Sequence, residues 1–531
     1  MLTSNSLQQK TDNELGIMVT KNIASHNTIR LVGIDEALKL LQTTQRIAFI
    51  DVRDRKSYVD KHPIFAVNAP IDSIELQIKQ LFSDEIGIAL IIGDNPTMTD
   101  WAAAVIGDAT RLTPQIIDGG FDAWKNRRLP FWDGEYTPSK AFGEWVETTG
   151  NIQNIKPEDA IHSPPNYQFD VRPFTEFQKF SLPSSIHCPT GRLGALNLTN
   201  STIYLHCAGR TRGIIAAQTL ADQDFKAAVH CITGGTQGWE LAGGVRSFNN
   251  HRLADKFFSE ETMSRHANYL IDKFNLPIAT KDCESDWSRS EIQFRIITVS
   301  EDQTMVPAIS PTTLIQSTDQ HLGTHNMPIL VQGPNQLDCA VSVLWLRRMG
   351  WDAWLREEFA PESVAPTCRR VKPLEWNDEW LHVDRMVDIR SSKAFKVSRL
   401  SGSKWIPRSQ FHTLPKSGRY LIVCDHSQIT HTQTLVNALN LSESNCITWD
   451  VIPQEYIDSC AISFETHPVD QALFFPDRHQ GNLEHAKGYL DWEHSLLPTL
   501  RDFGDIPWKP IADSLDQPTS HLTAFYRKVH S

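Results

Sequence analysis

Residues 201–220 read STIYLHCAGRTRGIIAAQTL, and the architecture follows from them. Ser201 to Leu205 is a short apolar run of strand type. Ile214 to Leu220 places its apolar residues at helical spacing. Between the two lies a small polar loop, His206-Cys207-Ala208-Gly209-Arg210-Thr211-Arg212-Gly213. Strand, tight loop and helix in this order, repeated along a chain, build a mainly parallel sheet with helices on both faces. Such sheets place their sites at the carboxyl ends of the strands, where this loop sits.

The pattern recurs. Similar strand–loop–helix stretches are IALIIGDNPTMTDWAAAVI (88–106), MPILVQGPNQLDCAVSVLWLRRMG (327–350) and RYLIVCDHSQITHTQTLVNAL (419–439). A strand ending in Asp-aliphatic-Arg occurs three times: Asp51 and Arg53, Asp170 and Arg172, Asp388 and Arg390, each followed by an aromatic at Tyr58, Phe177 or Phe395. A strand closing on Gly-Gly with Trp four residues on occurs at Gly119-Gly120/Trp124 and Gly234-Gly235/Trp239. Sliding the first copy by 114 brings Gly93 onto Cys207, and a slide of 126 brings Gly333 there. In the fourth copy either Cys424 or Asp425 faces it. Repetition at this period reads as one supersecondary unit written several times. The expected division is 27–140, 150–250, 285–375 and 376–470, with a tail over 471–531. Boundaries are expected in the polar segment 138–155, in 250–290 and near 369–378. The tail holds one expected helix, GNLEHAKGYLDWEHSLLPTL, placed against the last repeat.

Composition agrees. At roughly 100–150 residues per domain, 531 residues suggest about four domains. With 51 Lys+Arg against 63 Asp+Glu, the net charge is −12. That balance argues against a nucleic-acid partner, which needs clustered cations on phosphate. No window reaches the ~18 apolar residues of a membrane span, and the N-terminal SNSLQQKTDNELG lacks the layout of a signal peptide. A cytoplasmic protein with no membrane partner is expected. The nine cysteines are odd in number and contain no C-x-x-C pair, so neither a disulfide framework nor a zinc ribbon is expected.

One cysteine stands apart. Amide N–H groups of a loop curling into a helix N-terminus are unpaired and make an anion-binding nest. A thiol placed there beside two guanidinium groups is stabilised as the thiolate. Ala208, Gly209 and Gly213 are small enough for backbone to wrap the Cys207 sulfur, Thr211 opens the helix, and Arg210 and Arg212 suit an oxyanion substrate.

These features together resemble the rhodanese (thiosulfate sulfurtransferase) family, here as four tandem rhodanese-like domains with a complete active-site loop in the second alone. Asp170, Arg172, Glu176 and Phe177 match the first family motif, Cys207 to Arg212 the active-site loop, and Gly234, Gly235 and Trp239 the closing motif. Ser181-Leu-Pro-Ser-Ser-Ile departs from the usual Gly-His-Ile-Pro-Gly-Ala. The resemblance implies that Cys207 takes the outer sulfur of a small donor anion, thiosulfate or an organic persulfide, and passes it to a thiol or cyanide. No cofactor and no metal are implied. The N–H groups of Ala208, Gly209, Arg210, Thr211, Arg212 and Gly213 would cradle the persulfide, with Arg210 and Arg212 on the donor's sulfonate. Asp170 and Arg172 read as a structural ion pair. The alternative is a persulfide carrier loaded by a partner protein.

A Cys-based phosphatase of the same fold would need the longer Cys-x5-Arg loop, and Gly213 stands where that Arg belongs. The other loops read as degenerate. The first has Gly93, Pro96 and Met98 in the places of Cys207, Arg210 and Arg212, and the third has Gly333, Gln336 and Asp338. Cys339 is expected on a helix in the core. Cys424 is a second candidate thiol, but Asp425 beside it opposes ionisation. His206, His426 and His431 have no metal-ligand spacing, and Gly234-Gly235 lacks the dinucleotide fingerprint.

Overall fold

The computed structural model describes residues 29–529 apart from 83–85, 197, 255–258, 291–292, 303–307, 361–375, 440, 442–443, 460–462, 465–467, 472, 512–514 and 516–519. The N-terminal stretch read above, Cys368, Cys460 and most of the 369–378 boundary lie outside the described residues. The fold is α/β, with mainly parallel sheets flanked by helices.

Among the described residues, four sheets of four or more strands carry the chain, with three two-stranded ribbons beside them. The first orders Arg30–Val32, Arg111–Ile117, Ile86–Ile92 and Ile47–Asp51, with the short Val67–Asn68 also on Ile47–Asp51. The second is wholly parallel, in the order Ile186–His187, Tyr167–Asp170, Thr202–His206, Ala228–Ile232, Asn154–Ile155. The third orders Ile278–Ala279, Ala353–Arg356, Ile329–Gln332, Arg295–Thr298, and the fourth Lys404–Trp405, Arg385–Asp388, Tyr420–Cys424, Ser444–Thr448. The antiparallel strand Thr324–His325 crosses over to pair with Ile47–Asp51 of the first sheet.

The registers make the loops comparable. Asp51 pairs with Ile92, Asp170 with His206, Thr298 with Gln332 and Asp388 with Val423. The next residue on each second strand, Gly93, Cys207, Gly333 and Cys424, therefore occupies the same place. Cys424, not Asp425, is the counterpart in the fourth sheet. Each Asp-x-Arg closes on itself alike. The Arg N–H donates to Asp Oδ1 at 3.0 Å in all three copies, and the guanidinium also reaches the carbonyl eight residues on, at Lys61, Phe180 or Ser398. These fully enclosed ion pairs fix where each strand ends.

The helices Thr211–Asp222 and Gln336–Arg348 are buried almost all round, as expected of helices covered on more than one side. They are joined by the Trp345 Nε1–H donating to Thr219 Oγ1 at 2.9 Å and by an Arg348–Asp222 ion pair at 2.5 Å. The first and fourth sheets are joined by Arg408, whose guanidinium spans Glu75 at 2.5 and 2.7 Å.

Two expectations about the connections change. Most of the segment 138–155 is not a polar linker but the helix Thr137–Thr149, whose first eight residues are buried. The tail helix, Leu483–Phe503, packs on Thr137–Thr149 and on Gly235–Leu241, over the second sheet rather than the last. Its apolar residues Tyr489, Trp492, Leu496 and Leu500 find cover there. The terminal helix His521–Tyr526 seals the first and third sheets, with the Tyr526 hydroxyl donating to the Ile64 carbonyl at 2.8 Å.

Candidate active site

The strand Thr202–His206, the middle one of the second sheet, delivers Cys207 to the carboxyl end of that sheet. His206 is buried, its Nε2 is 2.8 Å from Ser185 Oγ, and burial pushes its imidazole down to about 4, so it is neutral near pH 7. Asp170, under the same strand end, would be pushed up by burial. Arg172, His206 and the Ser181 hydroxyl (2.7 Å) outweigh that and hold its carboxyl well below the usual range. Ser181 and Ser185 thus give the departure Ser181-Leu-Pro-Ser-Ser a role: the hydroxyls of these two residues satisfy the buried Asp170 and His206.

Beyond the strand, Cys207 is 2% exposed, and every residue from Ala208 to Gly213 is buried. Among the described residues, none accepts a hydrogen bond from the six main-chain N–H groups of 208–213. The helix Thr211–Asp222 starts from Arg210 with no side-chain cap. The other three loops differ. Asn95 accepts from the Met98 N–H at 3.0 Å, Asn335 from Leu337 and Asp338 at 2.9 and 3.2 Å, and Gln428 from Asp425 at 3.0 Å. Each spends one or two of its donors on its own side chain. Among the described residues, the second loop is the one in which no loop side chain takes any of them.

The closing Gly-Gly turn presses directly on this loop. Gly235 has φ +55°, and a Cβ there would stand 2.3 Å from the Cys207 carbonyl oxygen. That carbonyl accepts from the Thr236 N–H at 2.9 Å. Gly120 holds the same relation to the Gly93 carbonyl in the first unit. Gly213 is required too, because a Cβ there would meet Cys231 Sγ at 2.9 Å.

The two arginines do not both face the thiol as free cations. Arg212 lies bidentate on Glu176 at 2.7 and 3.1 Å. Burial opposes its charge, but Glu176 and the neighbouring Cys207 outweigh that and raise it. Arg210 is taken up by the helix Thr137–Thr149, at 2.6 and 3.0 Å to Glu144 and also to Glu147. Arg210, expected together with Arg212 on a substrate anion, ties the loop to the neighbouring helix. Three residues missed in the sequence complete the surroundings. Lys140 and Glu493 form a buried pair at 2.8 Å, and Tyr489 Oη lies 3.3 Å from Glu493 Oε1. They come from helices 70 residues before and some 280 after the loop, which no local motif announces.

The other candidates are core groups. Cys424 is fully buried, donates to the Ile447 carbonyl at 3.3 Å, and has its thiol pushed up by burial and by Cys446. Cys339 lies in the helix Gln336–Arg348, pushed up to about 12 by burial and Asp338. Among the described residues no group of three or more His, Cys, Asp or Glu is placed to hold a metal, and no helix is long and apolar enough to cross a membrane.

A family model, the rhodanese-like domain, matches residues 158–242, the stretch from the short helix before Tyr167–Asp170 to the end of Gly235–Leu241. A putative sulfur carrier protein, YrkF, of Bacillus subtilis is 35% identical over 69 residues. The match covers 12% of this chain and 37% of that protein, so the chain spans little more than a third of its relative's length. The crystal structure of a thiosulfate sulfurtransferase from Pseudomonas aeruginosa superposes with a TM-score of 0.77 at 22% identity, covering 89% of this chain and 98% of that one. The fold is shared along nearly the whole chain, well beyond the segment that the family model matches.

Proposed function

We propose that the chain is a sulfurtransferase with one active site, in which Cys207 carries sulfur as a persulfide and the other three units are degenerate copies that scaffold it. The open nest of six unpartnered amides around Cys207 carries this reading, together with the rhodanese-like segment in which it lies. The Cys207 thiolate attacks the outer sulfur of thiosulfate, a new S–S bond forms, and the old one breaks with sulfite leaving on its electron pair. The terminal sulfur of the persulfide then takes hydrogen bonds from the N–H groups of residues 208–213, with Arg212 as the nearest fixed cation. In the second half-reaction a thiolate or cyanide attacks that outer sulfur, and Cys207 leaves as the thiolate. Splitting the transfer in this way is covalent catalysis, and both displacements balance without a cofactor.

Incubation with thiosulfate should add the mass of one sulfur atom to Cys207 and release sulfite, and Cys207→Ser should abolish both. Undiminished sulfite release by that variant would refute the assignment. A second reading, in which the chain carries sulfur loaded by a partner protein's persulfide, is favoured by the likeness of 69 residues to a putative sulfur carrier protein. It predicts faster loading from a protein persulfide than from thiosulfate.

A further inference from the structure

Charge around the loop is already spoken for. Arg212 is matched by Glu176, and Arg210 by both Glu144 and Glu147. A dianionic donor entering the nest needs a cation for its far end, and of the two further cations near Tyr489, Lys140 and Arg478, Lys140 is the one whose partner carboxylate also meets the loop. Its ammonium sits 5.5 Å from the Tyr489 ring and 2.8 Å from Glu493 Oε1, both on the tail helix. Lys140 is 5% exposed and Glu493 is fully buried.

Glu493 is the unusual member. Oε1 is contacted by Lys140 and lies 3.4 Å from Thr211 Oγ1, the first residue of the active-loop helix. Oε2 is buried and has no hydrogen-bond partner among the described residues. It rests against Gly209 so closely that a Cβ there would lie 2.8 Å from it. A buried carboxylate oxygen with no donor is costly, and this one stands against the loop whose own amides are open. The place that a donor's oxyanion end would take is filled by a carboxylate of the chain itself.

We infer that Lys140 and Glu493 are the donor-selecting pair of the site: Lys140 is the cation for the donor's oxyanion end, and Glu493 competes with the donor for it. The inference rests on the sulfurtransferase reading and deepens it, assigning selection among donor anions to a helix outside the rhodanese-like segment. On donor entry the Lys140–Glu493 contact exchanges for a Lys140–donor contact, and the tail helix yields room above Gly209.

The test compares two donors with the same leaving chemistry and different charge. Thiosulfate is a dianion that leaves sulfite. Methanethiosulfonate is a monoanion that leaves methanesulfinate, and it also converts the thiolate of Cys207 to the persulfide. In full-length protein, Lys140→Met should lower the preference for thiosulfate over methanethiosulfonate, measured as the ratio of kcat/KM, by about tenfold or more. Glu493→Gln should raise it by a similar factor, within the Coulomb effect of one unit charge a few ångströms from the donor. The change should lie in KM, and Lys140→Arg should restore most of the preference. Damage to the fold would move both variants the same way, so opposite signs separate selection from packing. The double variant Lys140→Met/Glu493→Gln, which leaves no charge unpaired, provides a stable reference between the two. An unchanged ratio in both single variants, with Cys207-dependent release intact in the parent protein, overturns this inference alone. Loss of Cys207-dependent release in the parent protein overturns the reading beneath it.

Discussion

Gly235→Ala puts the geometry of the loop to the most direct test. The residue sits at φ +55°, where an L side chain costs about 1–2 kcal/mol. Its new Cβ would stand 2.3 Å from the Cys207 carbonyl against the 3.0 Å that real Cβ atoms keep, so the loop must move by about 0.7 Å. Neighbouring backbone blocks an easy retreat, since the Gly209 carbonyl is 2.7 Å from the same position. Overpacking of this kind adds roughly 1–3 kcal/mol, and a total loss of about 2–5 kcal/mol is expected. Gly120→Ala is the matched control. Its Cβ would lie 2.2 Å from the Gly93 carbonyl, the same strain in a loop without a thiol. Both variants should melt several degrees lower. Only Gly235→Ala should lose sulfur transfer, by roughly a hundredfold, the usual cost of displacing a reacting group by about an ångström. Sulfite release and melting temperature, measured on both, decide the matter. Equal loss of activity in the two variants would show that transfer follows overall stability. A strained but fully active Gly235→Ala would show that the shape of the nest is not what holds the sulfur.

Two further outcomes are expected. Asp72, at the contact of the first and fourth units, is pushed up to about 6 by burial, whereas burial of Glu75 is outweighed by Arg408, which holds it at about 2. Stability from Asp72 therefore rises as pH falls from 6 towards 3.8, and stability from Glu75 is complete above 4.5 and lost as pH falls towards 2, each worth on the order of 3 kcal/mol. Asp72→Asn should raise the melting temperature at pH 7 and flatten its rise between pH 6 and 4.5; parallel pH profiles for the two proteins would refute the assignment. Cys424→Ala removes a core sulfur and its hydrogen bond to Ile447, at about 1–2 kcal/mol. Sulfite release should stay within twofold of the parent protein, and a larger fall would bring the fourth loop into the chemistry.

What was readable in the chain was what is local. The run from Ser201 to Leu220 holds a strand, a six-residue loop and a helix within twenty residues, and the Asp-x-Arg pairs close on themselves over two positions. The Gly-Gly turns announce a backbone conformation that other residues resist. The partners of Arg210 were not readable, because Glu144 and Glu147 lie 66 and 63 residues earlier on a helix whose sequence looks like a polar boundary. An arginine beside a thiol reads as a substrate cation until its carboxylates are in view. The tail was misplaced for the same reason: its apolar stripe says that the helix must be covered, not which sheet covers it.

The four loops differ in how the donors at one recurring strand end are met. A strand end followed by a helix always leaves amide donors unpaired, and the chain meets that cost in two ways. In the first, third and fourth units a side chain of the loop, Asn95, Asn335 or Gln428, takes one or two of the donors. In the second unit no side chain does so, and covering the open donors falls to distant elements, the helix Thr137–Thr149 and the tail helix Leu483–Phe503. Those helices bring Glu144, Glu147 and Glu493, so carboxylates outnumber the free cations around Cys207. On the proposed sulfurtransferase reading, attraction for a donor anion then comes from oriented amides more than from net charge. A loop that keeps its donors free needs walls to keep water off them, and under the selection proposed for Lys140 and Glu493 these walls also carry the charges that choose what enters.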